Sequence, residues 1–268
     1  MPTLYLSFIV ALLGCTNSSQ NTNTSESRDT TTTLIKITCD SSATTIQNRF
    51  LAPEGFITFA SSEKSFASYL QNLPLKPMGT EVKYYEGSTK ANYGVYCSVV
   101  DMDIDPVDLQ QCADAVMRLR GEHLFHQGKF DEIKFNFLSD GKPRYFKDYA
   151  KGDYSYAKFR KYMKYIFSYA NTGSMCDELK QRPIFQMQIG DVFVQKGRPY
   201  GHAVIVVNMA ADTLGNKVFM LAQSYMPAQD TQILINPLSS AESPWFSLKE
   251  GDLTTPEWGF NSSDLKHF

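Results

Sequence analysis

The sequence lacks a dominant charge. Its 26 Lys and Arg residues nearly balance its 28 Asp and Glu residues, which leaves a formal net charge of −2. A chain without a strong positive field has no long-range attraction for a polyanion, so nucleic-acid binding is not expected. Because 43% of the residues are hydrophobic and 20% are charged, the composition also excludes collagen-like, coiled-coil and mostly disordered proteins. The 268 residues are enough to bury a sizeable hydrophobic core.

Several motifs of metal-binding and catalytic proteins are missing as well. The sequence contains no CxxC pair, no HExxH helix and no GxSxG turn, so we expect neither a zinc site of the usual spacing nor a serine hydrolase. His123 and His126 lie close to Glu122 along the chain, but the sequence offers them no third ligand. We therefore predict no metal and no cofactor.

Three acidic residues, Asp101, Asp103 and Asp105, alternate along the chain. In a strand, alternate residues face the same side, where like charges repel unless they are solvated or bound to a cation. The pattern of a calcium-binding loop fails here, because Pro106 stands where glycine is needed. We interpret the three carboxylates as a solvated strand end.

The longest apolar run is short and lies at the N-terminus. Residues 4–13 are apolar except for Ser7, a length that is typical of a signal-peptide core and too short to span a bilayer. The run ends in Leu12-Leu13-Gly14-Cys15, which resembles the lipobox of bacterial lipoproteins. This resemblance implies cleavage before Cys15 and lipidation of its side chain. The alternative is a buried N-terminal strand or helix.

A polar segment follows the apolar run. Residues 16–33 contain no hydrophobic side chain, so they cannot bury surface to offset the entropy of ordering. We predict a signal peptide and lipobox over residues 1–15, a disordered polar tether over 16–45 and a single α+β domain over 46–268, with folding beginning between Leu34 and Ile46. The protein is thus predicted to be exported and lipid-anchored to a bacterial cell membrane, at the outer membrane or the periplasmic face.

Four cysteines remain after Cys15: Cys39, Cys97, Cys112 and Cys176. An even number in an exported protein permits up to two disulfides, in three pairings. Their spacings are wide, and a core of this size needs no covalent support. We expect most of them to be small buried hydrophobic residues.

The apolar periodicity predicts an α+β fold, with a helical N-terminal half followed by a small antiparallel sheet. Asp105-Pro106 is typical of a helix start, and apolar residues follow it at spacings of three and four. A second amphipathic helix covers residues 156–167. The sheet is predicted from apolar segments separated by turns: 191–194, 202–207, 218–222 and 231–235.

Several runs carry a family resemblance: LQQCADAVMRLRGEHLF (109–125), GDVFVQ with GHAVIVV (190–207), LAQSYMPAQD (221–230) and TPEW (255–258). On these runs the chain resembles a bacterial family, domain of unknown function 4846, found in exported lipoproteins of Bacteroidota. The similarity extends from about Phe50 to the C-terminus. It implies an envelope location and no particular activity.

The order of polar residues also resembles cysteine peptidases and amidases of the NlpC/P60 type, which have a papain-like fold. Those enzymes place a cysteine on a helix, followed by a strand beginning Gly-Asp, a strand beginning with the catalytic histidine, and a strand with a third polar residue. Cys112, Gly190-Asp191, His202, and Gln223 or Gln229 stand in this order. The resemblance implies that Cys112 is the nucleophile, that His202 accepts its proton and that Gln223 orients the imidazole.

Alternatives remain for each of these residues. Cys112 lies inside the predicted helix on its apolar face, where a thiol also fits as a core residue, whereas a catalytic cysteine usually opens a helix. Cys176, near another predicted helix start, is a second candidate nucleophile. His202, at the start of an apolar strand, either faces a cleft or hydrogen bonds within its turn.

Aromatic residues in loop-like segments suggest a binding surface. Tyr225, Trp245 and Trp258 either line a groove for glycan or peptide or pack beneath loops. The candidate binding residues are Asp191, Tyr225 and Gln229. Two functions are therefore predicted: a papain-like cysteine hydrolase or amidase acting on cell-wall or peptide substrates, and a non-catalytic envelope lipoprotein that binds glycan or a protein partner. The expected partners are the membrane, through the lipid anchor, and peptidoglycan or peptide.

Overall fold

The structure is a computed structural model that describes residues 39–197, 199–241 and 243–268. The predicted signal peptide, Cys15 and the tether up to residue 38 lie outside the described residues, so the predicted segment boundaries remain predictions. Within the described chain, Cys39 already pairs with Phe50 in an antiparallel bridge, and the backbone N–H of Asp40 donates to the carbonyl of Arg49 at 2.9 Å. No helix in these three ranges is long and apolar enough to cross a membrane.

The described residues form six α-helices and thirteen β-strands. The helices are α1 (Ile46–Arg49), α2 (Phe66–Gln71), α3 (Cys112–His126), α4 (Phe146–Ala150), α5 (Tyr156–Phe167) and α6 (Thr172–Glu178). The strands are β1 (Phe56–Thr58), β2 (Tyr96–Val99), β3 (Lys134–Asn136), β4 (Pro143–Tyr145), β5 (Lys180–Gln181), β6 (Val192–Gln195), β7 (His202–Asp212), β8 (Lys217–Gln223), β9 (Gln232–Leu234), β10 (Phe246–Ser247), β11 (Asp252–Thr254), β12 (Gly259–Asn261) and β13 (Leu265–His267).

One large antiparallel sheet dominates the fold. Its nine strands include the path β2-β9-β8-β7-β6-β13-β5, while β1 also pairs with β7 and β10 with β8. The strands predicted from the apolar segments form its centre, β6 to β9. The predicted small sheet is therefore wrong in size, because β2, β5 and β13 extend it at its edges.

The mixed helix and sheet character is confirmed, whereas the predicted helical N-terminal half is wrong. Helices α4, α5 and α6 lie in the second half of the chain, and β1 and β2 lie in the first. These two strands are only three and four residues long, so they depend on partners from the second half of the chain. Their partners stabilise them: β1 pairs with the far end of the eleven-residue β7, and β2 pairs with β9.

Helix α3 packs against β7 and begins at Cys112, later than the sequence indicated. Gln111 and Asp114 form a capping box in which each side chain accepts a hydrogen bond from the other residue's backbone N–H. The predicted cap, Asp105, instead lies 3.4 Å from the guanidinium of Arg160 on α5. The start of the helix is thus set by the Gln111 cap.

The three alternating carboxylates are also explained by this neighbourhood. Asp103 forms ion pairs with Arg160 at 2.5 Å and with the buried Arg118 at 3.3 Å. Two of the carboxylates are therefore balanced by arginines of α3 and α5, in place of the purely solvated strand end that the sequence indicated.

Hydrophobic side chains cover both faces of the sheet. On one face, α3 and α5 bury a core with Ala203 and Ile205 of β7, and on the other face Val204 and Val206 join an aromatic cluster. The predicted helix over residues 156–167 is confirmed as α5. It meets α3 at Gly121, where a Cβ atom would lie 3.2 Å from Phe159 Cζ, so a larger residue would crowd this crossing.

We expect Phe159→Ala to lower the free energy of unfolding by about 3–5 kcal/mol, because a fully buried aromatic side chain would be replaced by a cavity. Leu214→Ala, at a side chain that is 86% exposed, is the control and should change it by less than about 0.5 kcal/mol. Urea unfolding of both variants measures the difference. Equal effects would show that α5 does not form the predicted core.

Candidate functional site

Three residues predicted from the sequence meet at one end of the large sheet. His202 is the first residue of β7 and Gln223 is the last residue of β8. Because these strands are antiparallel neighbours, the start of one lies beside the end of the other. Cys112 opens α3, and its thiol reaches the backbone of Ala203, the residue after His202.

His202 has two different ring environments. Its Nε2 lies 2.8 Å from Oε1 of Gln223, whereas no described atom hydrogen bonds to its Nδ1. The ring is fully buried beneath Tyr225, Trp258 and Phe260, whose ring centroids lie 4.8, 5.2 and 5.9 Å away. A buried polar atom without a partner calls for an explanation, and a catalytic role is one of those known.

Burial lowers the pKa of His202 to about 4, the hydrogen bond with Gln223 counteracts this, and the positive charge of Lys90 adds to it. The imidazole is therefore neutral at physiological pH. In a neutral ring one nitrogen carries the proton and the other accepts. Since Nε2 faces a carbonyl oxygen, the arrangement favours a proton on Nε2 and a free electron pair on Nδ1.

Cys112 occupies the position that suits a nucleophilic cysteine. It is the first residue of a fifteen-residue helix, where the helix dipole favours a thiolate. Burial and the charge of Asp114 nevertheless raise its pKa to about 12, although hydrogen bonds from the backbone of Ala113, Ala203 and Cys112 itself act in the opposite direction. The thiol is thus neutral in this covered state.

The thiol and the imidazole approach the start of β7 from different sides. Ala203 belongs to the core beneath α3, whereas His202 packs against Phe260 in the cluster on the other face. Within the described ranges, no hydrogen bond joins Cys112 to His202. The two groups are neighbours around the end of the strand, and proton transfer requires one of them to move. Catalytic hydrogen bonds are often long or unformed in the absence of substrate.

Two charged residues that the sequence analysis did not select lie behind Gln223. Its Nε2 donates to Glu257 at 2.7 Å, and Glu257 lies 2.8 Å from the ammonium of Lys90. Lys90 also donates to Oε1 of Gln229 at 2.8 Å. Glu257 belongs to the TPEW run, so the family resemblance contained a signal for it. Nothing in the local sequence marks Lys90.

A cleft of about 710 Å³ opens beside this cluster. Tyr225 and Trp258 line it and also cover His202, and Gln111 lines it next to Cys112. Trp245 lies elsewhere: it is 5% exposed, and its indole N–H donates to the carbonyl of Leu51 at 3.1 Å. Of the three loop aromatics, two therefore line the cleft and one packs beneath a loop.

The remaining candidate residues make other contacts. Asp191 precedes β6, at the opposite end from Gln195, the residue that pairs with His202. Its carboxylate lies 2.8 Å from the guanidinium of Arg182, and burial raises its pKa to about 6. Gln229 contacts the cluster through Lys90. Cys176 lies inside α6, with its sulfur 3.4 Å from the carbonyl oxygen of Val194, the residue before the cross-strand partner of His202.

The histidine pair of α3 has structural contacts. His123 packs against the rings of Phe66 and Tyr69, with centroids 5.2 and 5.6 Å away. His126 lies 3.4 Å from Glu122. Across the described ranges, no group of three or more His, Cys, Asp or Glu side chains could hold a metal ion.

The molecule is therefore an α+β protein built on a nine-stranded antiparallel sheet, with His202 and Gln223 hydrogen-bonded at one end of that sheet and Cys112 at the helix start beside Ala203. It belongs to the family described as domain of unknown function (4846), whose sequence profile matches residues 46–154 and 141–267. No curated protein and no solved structure matches the chain.

The buried imidazole predicts a specific pH dependence of stability. The pKa of His202 is about 4 in the folded protein and about 6.5 in an unfolded chain. Between these values the unfolded state binds more protons, so stability falls as the pH falls through this window. His202→Gln should reduce the loss of unfolding free energy between about pH 7.5 and pH 4.5 by about 2 kcal/mol.

Urea unfolding at both pH values measures this loss. His126→Gln, which removes an imidazole that is 61% exposed, is the matched control and should keep the dependence of the unaltered protein. Asp191 contributes with the opposite sign in all three proteins, because its raised pKa makes the folded state bind the proton more tightly. An unchanged loss in His202→Gln would contradict the neutral, buried imidazole.

Proposed function

We propose that the protein is a papain-like cysteine hydrolase that cleaves amide bonds in cell-wall or peptide substrates. The observation that carries this proposal is the state of the His202 ring, with Nε2 held by Gln223, Nδ1 without a partner, and a helix-opening cysteine beside the next residue. In this proposal Cys112 is the nucleophile, His202 the general base and acid, and Gln223 the group that orients the ring.

The reaction proceeds in two halves. The proton of Cys112 moves to Nδ1 of His202 while the sulfur attacks the carbonyl carbon of the substrate amide. The tetrahedral intermediate collapses to a thioester, and the leaving amine takes the proton from His202. Water, deprotonated by the same imidazole, then hydrolyses the thioester and restores the thiol. In this proposal, backbone N–H groups in the first turn of α3 stabilise the developing oxyanion.

The cleft favours an extended substrate with apolar and polar parts. Tyr200, Tyr225 and Trp258 supply aromatic surface, and Asp108 and Gln111 supply polar groups near the helix start. Tyr225 and Trp258 cover the imidazole, so substrate binding in this cleft can displace them and expose the reacting groups. A glycan-linked peptide or a free peptide presents the required amide bond.

The burial of the thiol and the imidazole also supports a second candidate function. The sulfur and the imidazole are both buried and share no hydrogen bond in the described structure. A non-catalytic envelope protein could use the aromatic cleft to bind glycan or a protein partner, with His202 serving only as a buried support for Tyr225 and Trp258.

We also propose that the domain is exported and lipid-anchored to a bacterial cell membrane through Cys15. The support is the sequence alone: the apolar run, the lipobox-like Leu12-Leu13-Gly14-Cys15 and the polar segment before the folded domain. An anchor of this kind would place the cleft within reach of peptidoglycan.

Thiol alkylation separates the two candidate functions without a known substrate. In the full-length protein, labelling of Cys112 by iodoacetamide near neutral pH should slow by about tenfold in His202→Ala, because the base that accepts the thiol proton is lost. Peptide mass mapping measures each cysteine, and Cys39, which pairs with Phe50 in a β-bridge, is the internal control. Equal labelling of Cys112 with and without His202 at every pH would reject the hydrolase and favour the binding protein.

Lipid attachment is tested by a single substitution. Cells expressing the full chain and grown with radiolabelled fatty acid should label the protein, and Cys15→Ser should abolish both the label and sedimentation with membranes. Cys39→Ser, at a thiol within the folded domain, should behave as the unaltered protein. Retention of the label in Cys15→Ser would refute the anchor.

A further inference from the structure

We propose that Glu257, held by Lys90, is a positioning residue that fixes the amide of Gln223 and thereby keeps the ring proton of His202 on Nε2. This inference deepens the proposed hydrolase function, and only its catalytic consequence rests on that function. The positioning itself concerns the ground state of the protein and can be observed without a substrate.

The ion pair between Lys90 and Glu257 is largely buried. The exposed fractions of the two side chains are 2% and 12%, and their charged atoms lie 2.8 Å apart. Moving such charges out of water carries a desolvation penalty that their attraction often fails to recover. Burial indeed lowers the pKa of Lys90, and Glu257 counteracts this. A buried ion pair of this kind is weak evidence for added stability. We therefore ask what its directional hydrogen bonds do in the site.

Each hydrogen bond in the cluster has one direction. A carboxylate can only accept, so Glu257 requires the NH₂ group of Gln223 at the 2.7 Å contact. The carbonyl oxygen of Gln223 must then face His202, and it can only accept from that ring. The proton is therefore assigned to Nε2, which leaves Nδ1 as the acceptor that a thiol proton requires.

The other side of the ion pair is oriented in the same way. Lys90 can only donate, and it donates to Oε1 of Gln229 at 2.8 Å. The NH₂ group of Gln229 then donates to the carbonyl of Pro227 at 2.9 Å. Lys90 also lies 5.3 Å from the ring centroid of Tyr225. The ammonium thus holds Glu257 on the side away from Gln223 and lies near Tyr225, one of the three aromatic residues that bury His202.

The turn that carries Glu257 also places the second covering aromatic. Thr255 closes this turn, because its hydroxyl donates to the carbonyl of Trp258 at 2.7 Å and accepts from the N–H of Trp258. The indole N–H of Trp258 donates to Oε1 of Gln195 at 3.0 Å, beside the start of β7. One short turn therefore orients Gln223 and covers the His202–Gln223 hydrogen bond.

The substitution Glu257→Gln replaces the acceptor-only carboxylate that orients the Gln223 amide with a side chain of nearly the same size and shape. An amide can donate as well as accept, so the Gln223 amide would be free to turn and present its NH₂ group to His202. We expect the ring proton, held on Nε2 in the unaltered protein, to distribute over both nitrogens in Glu257→Gln. Glu257→Asp keeps an acceptor-only group and should retain the proton on Nε2.

Ring nitrogen NMR measures this directly. Two-bond ¹H–¹⁵N correlations of the full-length protein, labelled at its four histidines, report which nitrogen of each ring carries the proton, and His202→Gln assigns the signal. Glu81→Gln is the matched control, because Glu81 forms an exposed ion pair with Lys83 at 3.1 Å. The double variant Lys90→Met with Glu257→Gln leaves no unpaired buried charge, so it covers the case in which Glu257→Gln alone does not fold.

The outcomes separate this inference from the proposed function. A single Nε2–H form in Glu257→Gln and in the double variant would overturn the positioning role. A mixed population in those variants, with the control unchanged, supports it. Iodoacetamide labelling of Cys112 on the same samples should then slow in Glu257→Gln in proportion to the lost Nε2–H form, by about twofold for an even mixture, and recover in Glu257→Asp. A shifted proton in Glu257→Gln, with labelling that is independent of His202 throughout, would support the positioning and reject the hydrolase.

Discussion

The pairing of β7 with its neighbours is the constraint on which the site depends. This eleven-residue strand pairs with β6 on one edge and with β8 on the other, and β1 joins its far end. Its antiparallel register with β8 brings the first residue of one strand beside the last residue of the other. Helix α3 packs on one face of β7, so the start of the helix lies at the same end of the sheet as the first residue of β7. Every residue of the proposed site is positioned relative to this strand.

Burial sets the chemical state of that site. The same desolvation raises the pKa of Cys112 and lowers the pKa of His202, so both groups are neutral while Tyr225 and Trp258 cover the ring. A neutral imidazole has one donor and one acceptor, and their assignment depends on the hydrogen bonds around it. The acceptor-only carboxylate of Glu257 settles that assignment through the amide of Gln223. Electrostatics and hydrogen-bond direction thus act together on one proton.

The apolar pattern of the sequence predicted those helices and strands whose apolar residues are regularly spaced or consecutive. Helix α5 and the central strands β6 to β9 follow from apolar periodicity, and the order of Cys112, His202 and Gln223 along the chain indicated the cluster. The start of α3 was misplaced, because Asp105-Pro106 has every local feature of a helix start. In the folded protein, Arg160 of α5 takes the carboxylate of Asp105 as an ion-pair partner. A contact between distant segments therefore overrides the local signal.

The sequence alone determined the periodicity of the main elements, the family-typical runs and the residue types available for chemistry. Only the tertiary structure decided which of them meet: Asp191 lies at the opposite end of β6 from the residue that pairs with His202, while Glu257 and Lys90 join Gln223. Lys90 and Glu257 are 167 residues apart in the chain, and no periodicity extends over such a distance. The folding of the chain around β7 brings the two side chains together. Because both are largely buried, each charge needs the other as its partner.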